Sequence, residues 1–105
     1  LFVSKATTSN RDHADVTWGA AQAGVAAGVV EAVSAGIIPT DVAEEALLIC
    51  AVWVDPGATV AHSDVVFLNN RVATYAALEN AGHHRPSVAD VLSDDQGIWN
   101  PFYRP

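Results

Sequence analysis

Methionine is absent and cysteine occurs once, at Cys50, so no disulfide can close within the chain. A lone cysteine inside an apolar run is the usage of a reducing compartment, and a cytoplasmic setting is expected. Cations are scarce as well: Lys5, Arg11, Arg71, Arg85 and Arg104 face twelve acids, for a net charge of −7. A phosphate-backbone footprint needs clustered Lys and Arg, and these five are scattered, so nucleic acid is not an expected partner. No apolar run reaches the roughly 18 uninterrupted residues of a membrane span. Glu31, Ser34, Asp41, Glu44 and Glu45 interrupt every candidate, and the polar Lys5–Asp15 stretch does not read as a signal peptide. Neither membrane nor export is expected. The chain also lacks a phosphate loop, a dinucleotide-binding glycine fingerprint and a nucleophile elbow. His13, His62, His83 and His84 show no zinc-site spacing, so no metal is expected.

What remains is apolar and small. Half of the 105 residues are hydrophobic, enough for one domain, residues 1–105, with a single core. The opening Leu1-Phe2-Val3 reads like the middle of a strand, and the expectation is a processed or incomplete chain. Leu1–Thr7 is a strand. Ser9 with Asp12 forms an imperfect capping box that starts a helix from about Asn10 to Ala35, ended by Gly36. Inside it, Gly19–Pro39 holds little besides Ala, Gly and Val. Gly24 and Gly28, four apart, let a neighbouring backbone approach. Thr40 caps a short turn to Glu45. Leu47–Val54 reads as a strand buried on both faces, or covered by a helix and a subunit neighbour. A helix from about Ala61 to Ala81 follows, with Val65, Leu68, Val72, Tyr75 and Leu78 as its apolar stripe. Ser87 caps a last turn through Leu92, and the tail from Asp94 to Pro105 is irregular. Strand, helix, strand, helix predicts an α/β (α+β) two-layer sandwich. Two strands cannot cover two helices, so further strands or a partner are expected.

Few groups carry chemistry. Lys5 and Thr7, two apart in a strand, share a face. With Gln22, the one amide of the alanine-rich helix, they suit an anionic or heteroaromatic ligand. The alternative is an exposed strand end. His83 and His84 are a solvated helix terminus or a ligand pair, and His62 with Asp64, at a helix start, reads as a cap, with catalysis as the alternative. His13, between Asp12 and Asp15, reads as a surface residue, with an active-site role left open. Cys50 reads as an inert core residue, and Glu44-Glu45 and Asp94-Asp95 as solvated edges.

Gly19-Ala20-Ala21-Gln22, then Gly24-Val25-Ala26, Glu31-Ala32-Val33 and Ala35-Gly36-Ile37-Ile38-Pro39 resemble the formaldehyde-activating enzyme family. The likeness covers Lys5 to about Asn80, and Asn100-Pro101-Phe102 is similar to the family's ending. The resemblance implies helices packed on one mixed sheet, a fold related to a domain of a small-subunit ribosomal protein. It implies a hydro-lyase that joins formaldehyde to tetrahydromethanopterin, and a homo-oligomer, a pentameric ring, with the pterin between subunits. By position Lys5, Thr7 and Gln22 match the family's pterin-contacting residues. The family's catalytic histidine lies in an N-terminal half that this chain lacks, so no catalytic residue is assigned within it. Ala23 stands where members carry a histidine, and Ala20 where a proline is usual. The alternatives are a non-catalytic relative that binds a pterin or an aldehyde adduct, and a structural ring subunit.

Overall fold

Two short strands run side by side in the same direction: β1, Phe2–Ser4, and β2, Cys50–Val52, paired Phe2 to Cys50, Val3 to Ala51 and Ser4 to Val52. The structure is a computed structural model, and it describes residues 1–93. Backbone bonds from Cys50 N to Leu1 O and from Lys5 N to Val52 O, both 2.8 Å, carry the ladder one step past each end. Parallel strands need a long crossover. Here it consists of α1 (Arg11–Asp15), a π-helical turn (Val16–Ala21), α2 (Gln22–Ser34) and α3 (Thr40–Glu45). A 3₁₀ turn at Val60–His62, then α4 (Ser63–Gly82) and α5 (Val88–Leu92), complete the described chain. The architecture is α+β, as expected. The sheet is parallel among the described residues, where a mixed one was anticipated.

The long helix begins one residue later than its capping pattern implied. Asn10, in extended conformation, accepts the His13 N–H on its side chain at 2.9 Å, satisfying a donor that the helix start leaves open. Ser9 is therefore free to donate its hydroxyl to Pro56 O at 2.9 Å, tying the helix start to the turn after β2. The far end matches the glycine signal. Gly36 adopts φ +75°, Gly36 N bonds Val33 O and Ile37 N bonds Ala32 O, each at 3.0 Å. This is the double-bonded left-handed helix stop that glycine makes without strain. Thr40 does not cap α3: Pro39 occupies the cap position and no side-chain bond is made there.

Packing of α2 on α4 explains the glycines. A Cβ on Gly28 would lie 2.6 Å from Arg71 O and 2.8 Å from Thr74 Cβ, and one on Gly24 would collide with Phe67 O. Backbone thus meets backbone, which only glycine permits. This contact also decides which side of α4 faces inward. The first part of the anticipated stripe is turned away, with Val65, Leu68 and Val72 all more than half exposed, whereas Tyr75 and Leu78 are half-buried. Phe67, Asn70, Arg71 and Thr74 take its place because a glycine groove accepts a ridge of carbonyls and Cβ atoms.

The residues from Arg11 to Ser34 form 24 residues of helix with a mean hydropathy of 1.2, so by length and composition they could cross a membrane despite their polar interruptions. Their glycine side is closed against α4, as in a core helix. Val16, Ala21 and Val54 form the buried cluster, with Phe2, Val52, Ala58 and Val66 packed around it. Thr17 is also buried, and its hydroxyl has no hydrogen-bond partner among the described residues.

The Leu47–Val54 run is not buried on both faces. It alternates: Leu48, Cys50, Val52 and Val54 turn inward, while Leu47, Ile49, Ala51 and Trp53 are exposed. One layer of helices covers one side of a sheet, and the described residues supply no second layer.

Candidate functional site

An apolar pocket of about 860 Å³ opens between α2, α3, the strands and the C-terminal end of α4. Val29, Ile38, Val42, Leu48 and Leu78 supply much of its wall, and Phe2 and Gln22 line it as well. Its size and aliphatic lining are those of a small-molecule pocket, which orients its occupant with a few polar groups. Among the described residues, the Gln22 carboxamide is the one polar side chain on that wall apart from the Cys50 thiol. Gln22 is placed there as the first residue of α2, just after the π turn. It is exposed, and its carboxamide makes no hydrogen bond among the described residues.

Lys5 and Thr7 lie elsewhere. The strand ends at Ser4, so Lys5 follows it and Thr7 sits in the segment leading to α1. Both are exposed, and neither lines the pocket. Lys5 is fixed at its backbone by Val52 O, which leaves its ammonium in solvent beyond the strand end.

His13 is fully buried, where its acidic neighbours suggested a surface position. Its Nδ1 accepts the Ser9 N–H at 3.3 Å, so the ring proton is on Nε2, which donates to Val54 O at 3.0 Å. The residue is a structural pin. The signal that could have found it is its place one turn before Val16 and Thr17 on the buried side. His62 is a cap, as its position indicated: its Nδ1 accepts the Thr59 N–H at 3.0 Å. His83 and His84 are exposed after α4.

Two charges depart from their usual behaviour. The Arg71 guanidinium, 2.9 Å from Glu31 Oε2, is held above its ordinary value by that hydrogen bond and by the carboxylate's charge. The pair joins α2 to α4 at the surface, where such bridges add little stability. Asp90 is held below the usual carboxylate range by the Ser87 hydroxyl and then by the Ser87 N–H. Among the described residues, no three His, Cys, Asp or Glu side chains group closely enough to hold a metal ion.

One amide on an apolar wall, carried by a glycine-packed helix, marks an α+β domain with a cavity of small-molecule size. The chain matches formaldehyde-activating enzyme (Fae) over residues 1–103, and it belongs to that family. It is 33% identical over 102 residues to the bifunctional enzyme Fae/Hps of Archaeoglobus fulgidus, covering 97% of this chain and 25% of that protein. Against the bifunctional enzyme Fae/Hps of Methanosphaera stadtmanae it is 35% identical over 115 residues, covering 98% of this chain and 28% of the relative. Against the 5,6,7,8-tetrahydromethanopterin hydro-lyase of Methanosarcina barkeri it is 32% identical over 102 residues, covering 97% and 56%. The chain therefore spans about a quarter of the bifunctional relatives and 56% of the hydro-lyase. No solved structure matches it.

Proposed function

We propose that this chain is part of a hydro-lyase that condenses formaldehyde with tetrahydromethanopterin to the methylene derivative, in one-carbon metabolism and formaldehyde detoxification. Family membership across residues 1–103 is the observation that carries the reading. The position of Gln22 on the rim of an apolar pocket is compatible with it. In this reading the fold is the two-layer sandwich related to a domain of a small-subunit ribosomal protein. The working form is a cytoplasmic ring of identical subunits, with the pterin held between neighbours.

The chemistry sets the roles. A pterin nitrogen attacks the formaldehyde carbon to give a carbinolamine. The hydroxyl then leaves as water after protonation by a general acid, and the second nitrogen closes the methylene bridge. No residue of this chain is assigned that role. Gln22 fixes the pterin's amide edge, while Lys5 and Thr7 complement polar or anionic parts of the ligand. Holding both reactants in register lowers the barrier by several kcal/mol, roughly the lower part of the range for oriented intramolecular reactions.

The test is the condensation rate of formaldehyde with tetrahydromethanopterin, parent against Gln22→Ala. The expected result is a parent rate above the spontaneous one and a slower variant. Equal accelerated rates would remove Gln22 from the mechanism. A parent that binds the pterin without accelerating the reaction would leave a non-catalytic pterin-binding relative, with Ala23 standing where the resemblance places a histidine.

A further inference from the structure

Trp18 is 51% exposed, yet its ring is not free to wander. Phe2 meets it edge-on, with ring centroids 5.5 Å apart and planes at 64°, so strand β1 sets the orientation of the indole. Phe2 and Gln22 both line the apolar pocket, and Gln22 follows Trp18 by four residues on the same side of the helix. The adjoining row of the helix, Gly19 and Ala23, is bare. A Cβ built on Gly19 would meet nothing within 4 Å, and Ala23 offers only an exposed methyl. A braced indole, a flat step and a free carboxamide thus stand side by side.

We propose that Trp18 is a ligand-binding residue, on whose indole the bicyclic ring of a bound reduced pterin stacks while Gln22 hydrogen-bonds the ring's amide edge. The assignment rests on the functional reading above and adds to it the residue that recognises the flatness of the ring. An indole beside a carboxamide selects a planar heteroaromatic with donors and acceptors on its rim. A purely aliphatic ligand would use neither the π-face nor the amide. The π-helical turn Val16–Ala21 contains Trp18 and ends where Gln22 begins, so it sets the angle between the two groups. Such turns occur often at binding sites.

The test is calorimetric binding of tetrahydromethanopterin to the full protein, comparing the parent with Trp18→Leu, Trp18→Phe and Gln22→Ala. Alongside it, a Trp53→Phe, Trp99→Phe protein leaves Trp18 as the one tryptophan of this sequence, whose emission is read with excitation selective for indole. Trp18→Leu is expected to raise Kd about tenfold or more, the effect of removing a stacking platform. Trp18→Phe should restore most of the affinity, and saturating pterin should quench the Trp18 emission. Parent-like binding by Trp18→Leu alongside weakened binding by Gln22→Ala would overturn the assignment and leave the functional reading intact. Unchanged Trp18 emission at saturating pterin would do the same, and it decides the matter even if Trp18→Leu fails to fold. A parent that binds no pterin overturns both.

Discussion

Nε2 of His13 lies 3.0 Å from the carbonyl oxygen of Val54, joining the first turn of α1 to the chain that leaves β2. With Ser9 N–H held on the opposite ring nitrogen, one buried imidazole satisfies two backbone groups on separate segments. His13→Ala should cost about 2–4 kcal/mol, since it leaves a buried carbonyl unpaired and opens a cavity. Urea unfolding of parent and variant would measure it. A loss below about 0.5 kcal/mol, the level of an ordinary surface substitution, would contradict the structural role.

Glycines on one helix should respond in opposite directions to the same change. Gly28→Ala places a methyl 2.6 Å from Arg71 O, a backbone atom that cannot swing aside. It should destabilise by about 1–3 kcal/mol, as overpacking does. Gly19→Ala meets open space, so it should stabilise by up to about 1 kcal/mol through helix propensity alone. Thermal melting of the two variants gives the comparison, and shifts of the same sign would count against the glycine contact between α2 and α4.

The buried Thr17 hydroxyl without a partner predicts a gain from removing it. Thr17→Val keeps the shape and replaces an undischarged polar group by a methyl, so stability should rise by about 1 kcal/mol. Denaturant titration reads the change. A clear loss of stability would show that the hydroxyl is satisfied in solution.

Helix α5 should loosen in acid. The Asp90 carboxylate accepts from the Ser87 hydroxyl at 2.7 Å and the Ser87 N–H at 3.0 Å, and its pKa is lowered by both. A lowered folded pKa means that the stabilisation is present above the unfolded value and disappears as pH falls through the folded one. The Ser87 and Asp90 amide resonances should therefore shift together in the acidic range. Asp90→Asn should remove that titration.

Much of the helical layer was legible because glycine signals are local. Gly36 had to stop the helix in a left-handed conformation, and Gly24 with Gly28 had to admit a backbone. The face of α4 was not legible from hydrophobicity. Val65, Leu68 and Val72 lost to the face of Phe67, Asn70, Arg71 and Thr74 because the glycine groove selects shape over greasiness. His13 was misread since Asp12 and Asp15 mark the helix as wet, whereas burial follows position around the axis. Of the candidate site, Gln22 was legible as the lone amide in an alanine-rich helix, and the structure sets it on the pocket wall. The structure places Lys5 and Thr7 past the end of β1, because the strand is shorter than its sequence pattern and the same-face argument needs a strand beneath them.

The π-helical turn at Val16–Ala21 has an evolutionary consequence. From His13 through Thr17, Ala21, Gly24 and Gly28 to Ala32, the buried side takes nineteen residues to make five steps. This is about 3.8 residues per step, where a plain α-helix needs 3.6. The excess is a single residue, which the wide turn absorbs like a spare link in a chain. A relative one residue shorter at this point would carry an ordinary helix and still present His13 and Gly24 to the same neighbours. Deletion of Gly19 should accordingly leave a folded protein with cooperative unfolding, and loss of that cooperativity would contradict the accounting. The turn is thus the place where length can change without the core noticing, and Trp18 is the side chain that such a change would re-aim.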